Sequence, residues 1–252
     1  MFTGSSNFRE LGGLPAADGR RVRHGLIYRA GHLAHLSSDD LAGLHALQVK
    51  LVCDLRSHKE RERLPSRLPD GQTPEILTLS VNEDAAALSR SFVDRLRADP
   101  TSAGVRAAIL AVYRGQPRAF HGKLSVLVDR ILAGPGVPLI IHCHAGKDRT
   151  GFVCAMLLHA LGAPRQSIFE NYLASLFDVQ QGAIDMAKLL KLDTGVDIDP
   201  DALRPLCGVD EAYLAAAFDA AVEQYGSLDG YLQQAAAMTP ERTAQLRELL
   251  LE

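Results

Sequence analysis

Cys143 and Arg149 are separated by five residues, with Gly146 between them and Thr150 directly after. A thiolate is a strong nucleophile at neutral pH. A guanidinium presents a planar fork that holds two phosphate oxygens at once, which an ammonium cannot do. The apolar, β-branched run Val137-Pro138-Leu139-Ile140-Ile141 precedes the pair and reads as a buried parallel strand. Phe152 to Leu158 follows it and reads as a buried helix entered at Arg149. A loop running from strand to helix turns several backbone N–H groups into one concavity, and the helix dipole adds positive charge there. That field favours the thiolate at Cys143 and suits a dianionic phosphate. The chemistry so assembled is phosphoryl transfer through a covalent phosphocysteine.

The rest of the loop fits the same reading. His144, Ala145 and Gly146 offer backbone N–H groups to the phosphate, with His144 as a rim residue. Lys147 adds a second cation. Thr150 is placed to donate a hydrogen bond to the Cys143 sulfur and ease its departure, or else is only a first-turn helix residue. His142 orders the loop through hydrogen bonds, and no other ligand-type residues cluster with it as a metal site requires. No metal and no cofactor is called for.

Three motifs carry a resemblance. His142-Cys143-His144-Ala145-Gly146-Lys147-Asp148-Arg149-Thr150-Gly151 resembles the signature loop of cysteine-dependent tyrosine phosphatases of the bacterial B type, also called atypical lipid phosphatases. Asn7-Phe8-Arg9-Glu10-Leu11-Gly12-Gly13 resembles that family's Asn-Phe-Arg-Asp-Leu-Gly-Gly, with Glu10 for the usual Asp. Asp54-Leu55-Arg56-Ser57 matches its Asp-Leu-Arg-Ser element, and Glu170-Asn171-Tyr172-Leu173 is also similar. The resemblance implies phosphotyrosine proteins as substrates, with phosphoserine, phosphothreonine and phosphoinositides as additions. It also implies that the N-terminal segment lies against the core near the loop. The leaving group needs a proton. The resemblance places that acid within the loop, at Asp148, and the chain has no Trp for a separate Trp-Pro-Asp loop. Asp54 is the alternative acid, and a third role for Asp148 is to orient Arg149 or Arg56. Lys147 would hold a further phosphate of an inositol ring.

Other elements must position this loop. Gly25 to Arg29, Val49 to Leu55 and Glu75 to Val81 read as strands. Asp54 and Arg56 end the second of these, where they either line the cradle or anchor the helix His58 to Leu64. Arg9 and Arg29 are surface charges or substrate contacts. Ser37 caps a helix through about Gln48. Between Asp84 and Pro117 the pattern predicts short helices over 86–98 and 105–113, whose cations Arg90, Arg95, Arg97, Arg106 and Arg114 form a solvated face or part of a cover over the loop. Residues 118–133 form another helix. Beyond the Arg149 helix the chain reads as helical: 164–177, 178–192, 210–225, 228–234 and 240–251, with a break at Asp193-Thr194-Gly195.

A three-layer α/β/α fold with a mostly parallel sheet follows, as one phosphatase domain. Its core spans roughly residues 20–180, and the helices of 181–252 pack on it. Hydrophobic residues make up 47% of the 252, enough for such a core. A net charge of −3 gives no support for nucleic-acid binding, which usually goes with a strongly basic domain. Four scattered Cys suit reduced thiols and a cytoplasmic location, with export by an unconventional route leaving no mark. The N-terminus lacks a signal-peptide pattern, and no apolar run reaches membrane-spanning length. Cys53 and Cys154 read as core residues, with a reversible Cys53–Cys143 disulfide as the alternative for Cys53. Two rival functions remain, a sulfurtransferase and a catalytically silent phosphate-binding module.

Overall fold

The computed structural model describes residues 2–71, 73–81, 85–176 and 178–252, and the backbone alone for 85–90. Asp84, at which the expected helical stretch opens, the Arg90 side chain and a helix end at Phe177 fall outside the described residues.

The sheet has five strands: β1 (Arg9–Glu10), β2 (Ile27–Ala30), β3 (Leu51–Asp54), β4 (Glu75–Thr78) and β5 (Leu139–His142). Their order is β1-β2-β5-β3-β4, parallel throughout except for the β1–β2 pair. The register sets Ala30 and Asp54 on either side of His142. The C-terminal ends of the three central strands therefore stand level, and the chain leaving β5 there enters the Cys143 loop. Ligands of open α/β sheets gather at this edge.

Successive strand residues point to opposite faces, and both faces are buried. Leu51, Cys53, Leu139 and Ile141 join one apolar cluster, while Tyr28, Ala30, Val52 and Ile140 join another. Helix α1 (Ser38–Ala46) covers the second through Leu41 and Leu44. On the opposite face lie α4 (Ser102–Ala119), α5 (Lys123–Leu132) and α6 (Asp148–Ala160). Every α6 residue from Thr150 to Leu158 is buried, which is why its sequence shows no polar stripe. The C-terminal helices α8 (Val179–Thr194), α9 (Pro200–Cys207), α10 (Glu211–Tyr225), α11 (Leu228–Ala235) and α12 (Pro240–Leu250) add to the same cluster, with Leu214, Phe218 and Leu246 fully buried in it. The chain end is laced to the N-terminal region, where Arg21 N–H donates to Glu252 O at 2.8 Å.

Among the local departures from the sequence reading, three are the largest. The stretch 105–113 is the middle of one long helix, α4, capped by Thr101, with Pro117 in its last turn, where one missing backbone bond does not end it. Helix α5 starts only at Lys123, after Gly122 takes a left-handed φ of 75°. Residues 200–207, left without an element, form α9, whose Asp199 cap and first-position Pro200 are start signals masked by Pro205 inside.

Candidate active site

The Cys143 loop is shaped by what holds its carbonyl groups. His142 O accepts from Leu55 N–H at 2.9 Å, and His144 O accepts from His32 N–H at 2.8 Å. Ala145 O accepts from Asn7 Nδ2 at 3.0 Å and Ser6 Oγ at 3.3 Å. Gly146 O accepts from Arg29 Nη2 at 2.9 Å, and Lys147 O from Gly151 N–H at 2.7 Å. The carbonyls are thus engaged by surrounding elements. Among the described residues the N–H groups of His144, Ala145, Gly146, Asp148 and Arg149 have no acceptor. Gly146 has φ +69°, and a Cβ there would lie 2.5 Å from Ala30 C, so only glycine lets the loop bend back over β2. Cys143 sits at the base, 2% exposed.

Two segments supply the grip. The Asp40 carboxylate accepts from the Thr3 and Gly4 N–H groups at 2.9 and 2.8 Å, which pins the N-terminus to α1 and brings Ser6 and Asn7 to the loop. On the other side α7 (Arg165–Leu173) presents Asn171, whose Oδ1 accepts from Arg29 Nη1 at 2.7 Å and whose carbonyl accepts from Arg9 Nη2 at 2.7 Å. Ser175 Oγ also accepts from both arginines. Arg29 is fully buried and holds loop backbone, so it is neither a surface charge nor a substrate contact. Burial, and the neighbouring Arg29 charge, lower Arg9 to about 10.

Arg149 is aimed by a partner the sequence reading missed. Its Nη1 and Nη2 donate to Glu60 Oε2 and Oε1 at 2.8 and 2.7 Å, and Nη1 also reaches Leu55 O at 3.3 Å. Among the described residues the Nε–H has no acceptor. Glu60 belongs to α2 (His58–Arg63), and the same carboxylate closes a capping box with Ser57. Burial opposes its charge, but the Arg149 fork and the Ser57 bonds hold it down at about 2. The Ser57-x-x-Glu60 pattern announces a helix start. Nothing local announces that Glu60 also reaches Arg149.

Asp148 opens α6. Its Oδ1 accepts from the Tyr113 hydroxyl and lies 3.5 Å from Lys147 Nζ. The Tyr113 hydroxyl is 2.7 Å from that of Tyr172. Tyr113, like Glu60, carried no sequence signal of its reach to the loop.

Other expected contacts are rearranged. Asp54 and Arg56 are 2% and 1% exposed and spent on one another, with Arg56 Nη2 to Asp54 Oδ2 at 2.7 Å. Arg56 also donates to Leu64 O and Ser66 Oγ, at 2.6 and 2.9 Å. This pair anchors the α2 segment, and the cradle-lining reading gives way to the anchoring one. The Lys147 ammonium is 4% exposed as a residue and donates to Leu206 O and Gly208 O at 2.6 and 2.9 Å, at the end of α9 rather than over the loop. Thr150 Oγ1 is buried and makes no hydrogen bond, so the expected bond to sulfur is not formed. His144 stands exposed on the rim, its ring 5.3 Å from that of His32. His142 Nδ1 donates to Cys143 O at 3.3 Å, and burial lowers it to about 4, so it is neutral. Cys53 is a free buried thiol pushed up by burial and by Asp54, as a core residue would be.

Beside Asp148 and Arg149 opens a cavity of about 370 Å³. Its apolar wall is Phe92 of α3 (Ala85–Ala98) and Ile109, Val112 and Phe120 in and just after α4. The stretch read as solvated face or cover turns one side to the cavity and the other to solvent. Its apolar side walls the cavity, while Arg97, Arg106 and Arg114 pair outward with Asp94, Asp210 and Glu223.

A family model described as the tyrosine phosphatase family matches residues 1–252. A Cupriavidus necator protein bearing a tyrosine-protein phosphatase name is 37% identical over 96% of this chain and 84% of its own length. The triple specificity protein phosphatase PtpB of Mycobacterium tuberculosis is 30% identical over 92% of each chain. A tyrosine-protein phosphatase of Nostoc commune is 27% identical over 87% of this chain and 72% of that protein.

Proposed function

The chain belongs to the tyrosine phosphatase family, and from that premise we propose that it hydrolyses phosphomonoesters through a phosphocysteine on Cys143. The observation that carries this reading is the loop whose carbonyls are drawn outward while the N–H groups of His144, Ala145, Gly146, Asp148 and Arg149 find no acceptor among the described residues, around a buried cysteine. Such an amide nest at a helix N-terminus is an anion site with a nucleophile at its base.

The Cys143 thiolate attacks phosphorus in line, and the bond from phosphorus to the leaving oxygen breaks. The nest and the Nε edge of Arg149 hold the equatorial oxygens, with Glu60 fixing the opposite edge of that fork. Asp148 gives its proton to the leaving oxygen. Water then attacks phosphorus, its proton passes to Asp148, and the thiolate departs with inorganic phosphate released. Asp148 is preferred to Asp54 because the Asp54 carboxylate is buried under the Arg56 fork.

Phosphotyrosine in proteins is the first substrate. One relative's name states a triple specificity, and the apolar cavity beside Asp148 is larger than a phenol ring, which supports wider use that includes phosphoinositides. No helix among the described residues is long and apolar enough to cross a membrane, so a lipid substrate would be met from the aqueous side.

The test is a panel of p-nitrophenyl phosphate, phosphopeptides and phosphoinositides with EDTA present. Wild type should turn over, Cys143→Ser should not, and rapid quenching should trap a phosphate adduct on Cys143 in intact mass spectra. Activity that EDTA abolishes and Cys143→Ser retains would overturn the reading. Thiosulfate-to-cyanide transfer in its place would favour the sulfurtransferase alternative.

A further inference from the structure

Asp148 ends a hydrogen-bond chain that the two chemical steps above do not call on. Tyr113 on α4 donates its hydroxyl proton to Asp148 Oδ1, and Tyr172 on α7 stands 2.7 Å from the Tyr113 oxygen. Both tyrosines are 1% exposed. Gly151 makes the arrangement possible, since a Cβ there would lie 2.8 Å from Tyr172 Cδ2. With the Tyr113 proton committed to the carboxylate, its oxygen is left to accept from Tyr172. The chain therefore runs one way, from Tyr172 to Tyr113 to Asp148.

Burial first, and then the Asp148 charge, push the Tyr113 hydroxyl well above its ordinary value, so it stays a donor. Among the described residues nothing donates to Asp148 Oδ2. One carboxylate oxygen is held and the other is left for chemistry.

We infer that Tyr113, oriented by Tyr172, is a positioning residue for proton transfer, fixing Asp148 by Oδ1 so that Oδ2 gives the proton to the leaving oxygen and takes one from water. This rests on the reading of Asp148 as the acid. The chain fits a carboxyl group with no proton on Oδ1. A proton on Oδ1 would reverse both hydroxyls and leave the Tyr172 proton without an acceptor among the described residues. The relay thus keeps the acid's proton off Oδ1 and on Oδ2, the oxygen that serves both steps.

The other ionisable groups facing Asp148 do not duplicate it. Lys147 and Arg149 flank it in sequence, Cys207 faces it from α9 and Tyr213 from α10. The Lys147 ammonium bonds the Leu206 and Gly208 carbonyls, and the Tyr213 hydroxyl donates to Pro205 O at 3.2 Å. Arg149 is occupied by Glu60.

The experiment measures phosphocysteine formation and its hydrolysis separately, by rapid quench, from acid to alkaline pH. Removing a donor from a carboxylate makes it hold its proton longer. Tyr113→Phe should move the alkaline fall of the formation step up by about one pH unit, the size of one charge-assisted hydrogen bond. It should also slow hydrolysis, so that trapped phosphoenzyme accumulates. Tyr172→Phe leaves the contact with Asp148 in place and should shift the limb the same way by less. Asp148→Asn should abolish the limb, and adding Tyr113→Phe to it should change the limb no further. A limb lost in Asp148→Asn but unmoved in both Phe variants, with both steps slowed alike, overturns the relay alone. A limb that persists in Asp148→Asn removes the acid assignment and the relay with it.

Discussion

Glu60 shows what a single carboxylate does in two places at once. It closes the N-terminal cap of α2 and holds the paired Nη edge of Arg149. A planar fork clamped on one edge can turn only its other edge to an anion, which removes rotational freedom before substrate arrives. Glu60→Gln keeps an acceptor for Ser57 but loses the charge. It should lower kcat/KM on phosphotyrosine peptide by roughly 10-fold to 100-fold, the worth of one charge-assisted fork. Binding of vanadate, read by calorimetry, should weaken by a similar factor. Unchanged vanadate affinity would show that Arg149 orients without Glu60. Cys143 and Arg149 were legible because their spacing is itself the chemistry. Glu60 and Tyr113 were not, because their contacts with Arg149 and Asp148 bridge 89 and 35 positions. Asn171 was half legible. Its motif matched a family, but that it grips Arg29, which in turn grips Gly146, is a fact of the third dimension only.

Among the elements, the three central strands were read correctly and their register explains the site. His142 lies level with Ala30 and Asp54, so the loop after β5 is reached at once by residues following β2 and β3. Pattern alone located these strands because both faces are buried and the runs are apolar. It did not locate α9, and so did not foresee that Lys147 would be drawn away from the loop. Lys147 instead joins the loop to the last carbonyls of α9, where a cation also meets the negative end of the helix dipole. Lys147→Met keeps the apolar stem and removes the charge. It should cost about 1 kcal/mol of stability, since two part-buried carbonyls lose their donor. Hydrogen exchange should quicken in α8 and α9. Turnover of phosphotyrosine peptide and of phosphoinositide should fall by the same factor. A loss confined to phosphoinositide would restore Lys147 to the role of holding a second phosphate.

At the scale of the whole molecule, the active loop is built over a buried polar layer that must be electrically balanced for the chain to stay folded. Arg56 and Asp54 balance one another there, and His142 lies 3.5 Å from Asp54 Oδ2 without a second bond at Nε2. Burial disfavours the His142 cation, Asp54 favours it, and the nearby Arg56 charge opposes it again, so the folded value is about 4 against an ordinary 6.5. Between these two values the unfolded chain takes up a proton that the folded chain refuses. Stability therefore falls as pH falls from about 6.5 towards 4, by about 3 kcal/mol across the whole window. The Glu60 contribution has the same sign but a lower window, from the ordinary 4.5 down to about 2, so the two are separable. Urea unfolding followed from pH 7.5 to 5 should show the midpoint falling with a constant slope of the transition. His142→Asn retains a donor for Cys143 O and cannot charge, so its midpoint should fall less steeply over that range, whatever its absolute stability. The slope that remains belongs in part to His32, half-buried and also lowered to about 4 by burial and by the neighbouring histidines. Parallel curves for wild type and His142→Asn would mean that the fold accepts a charge at its centre, and the neutral His142 beneath the nucleophile would have to be given up.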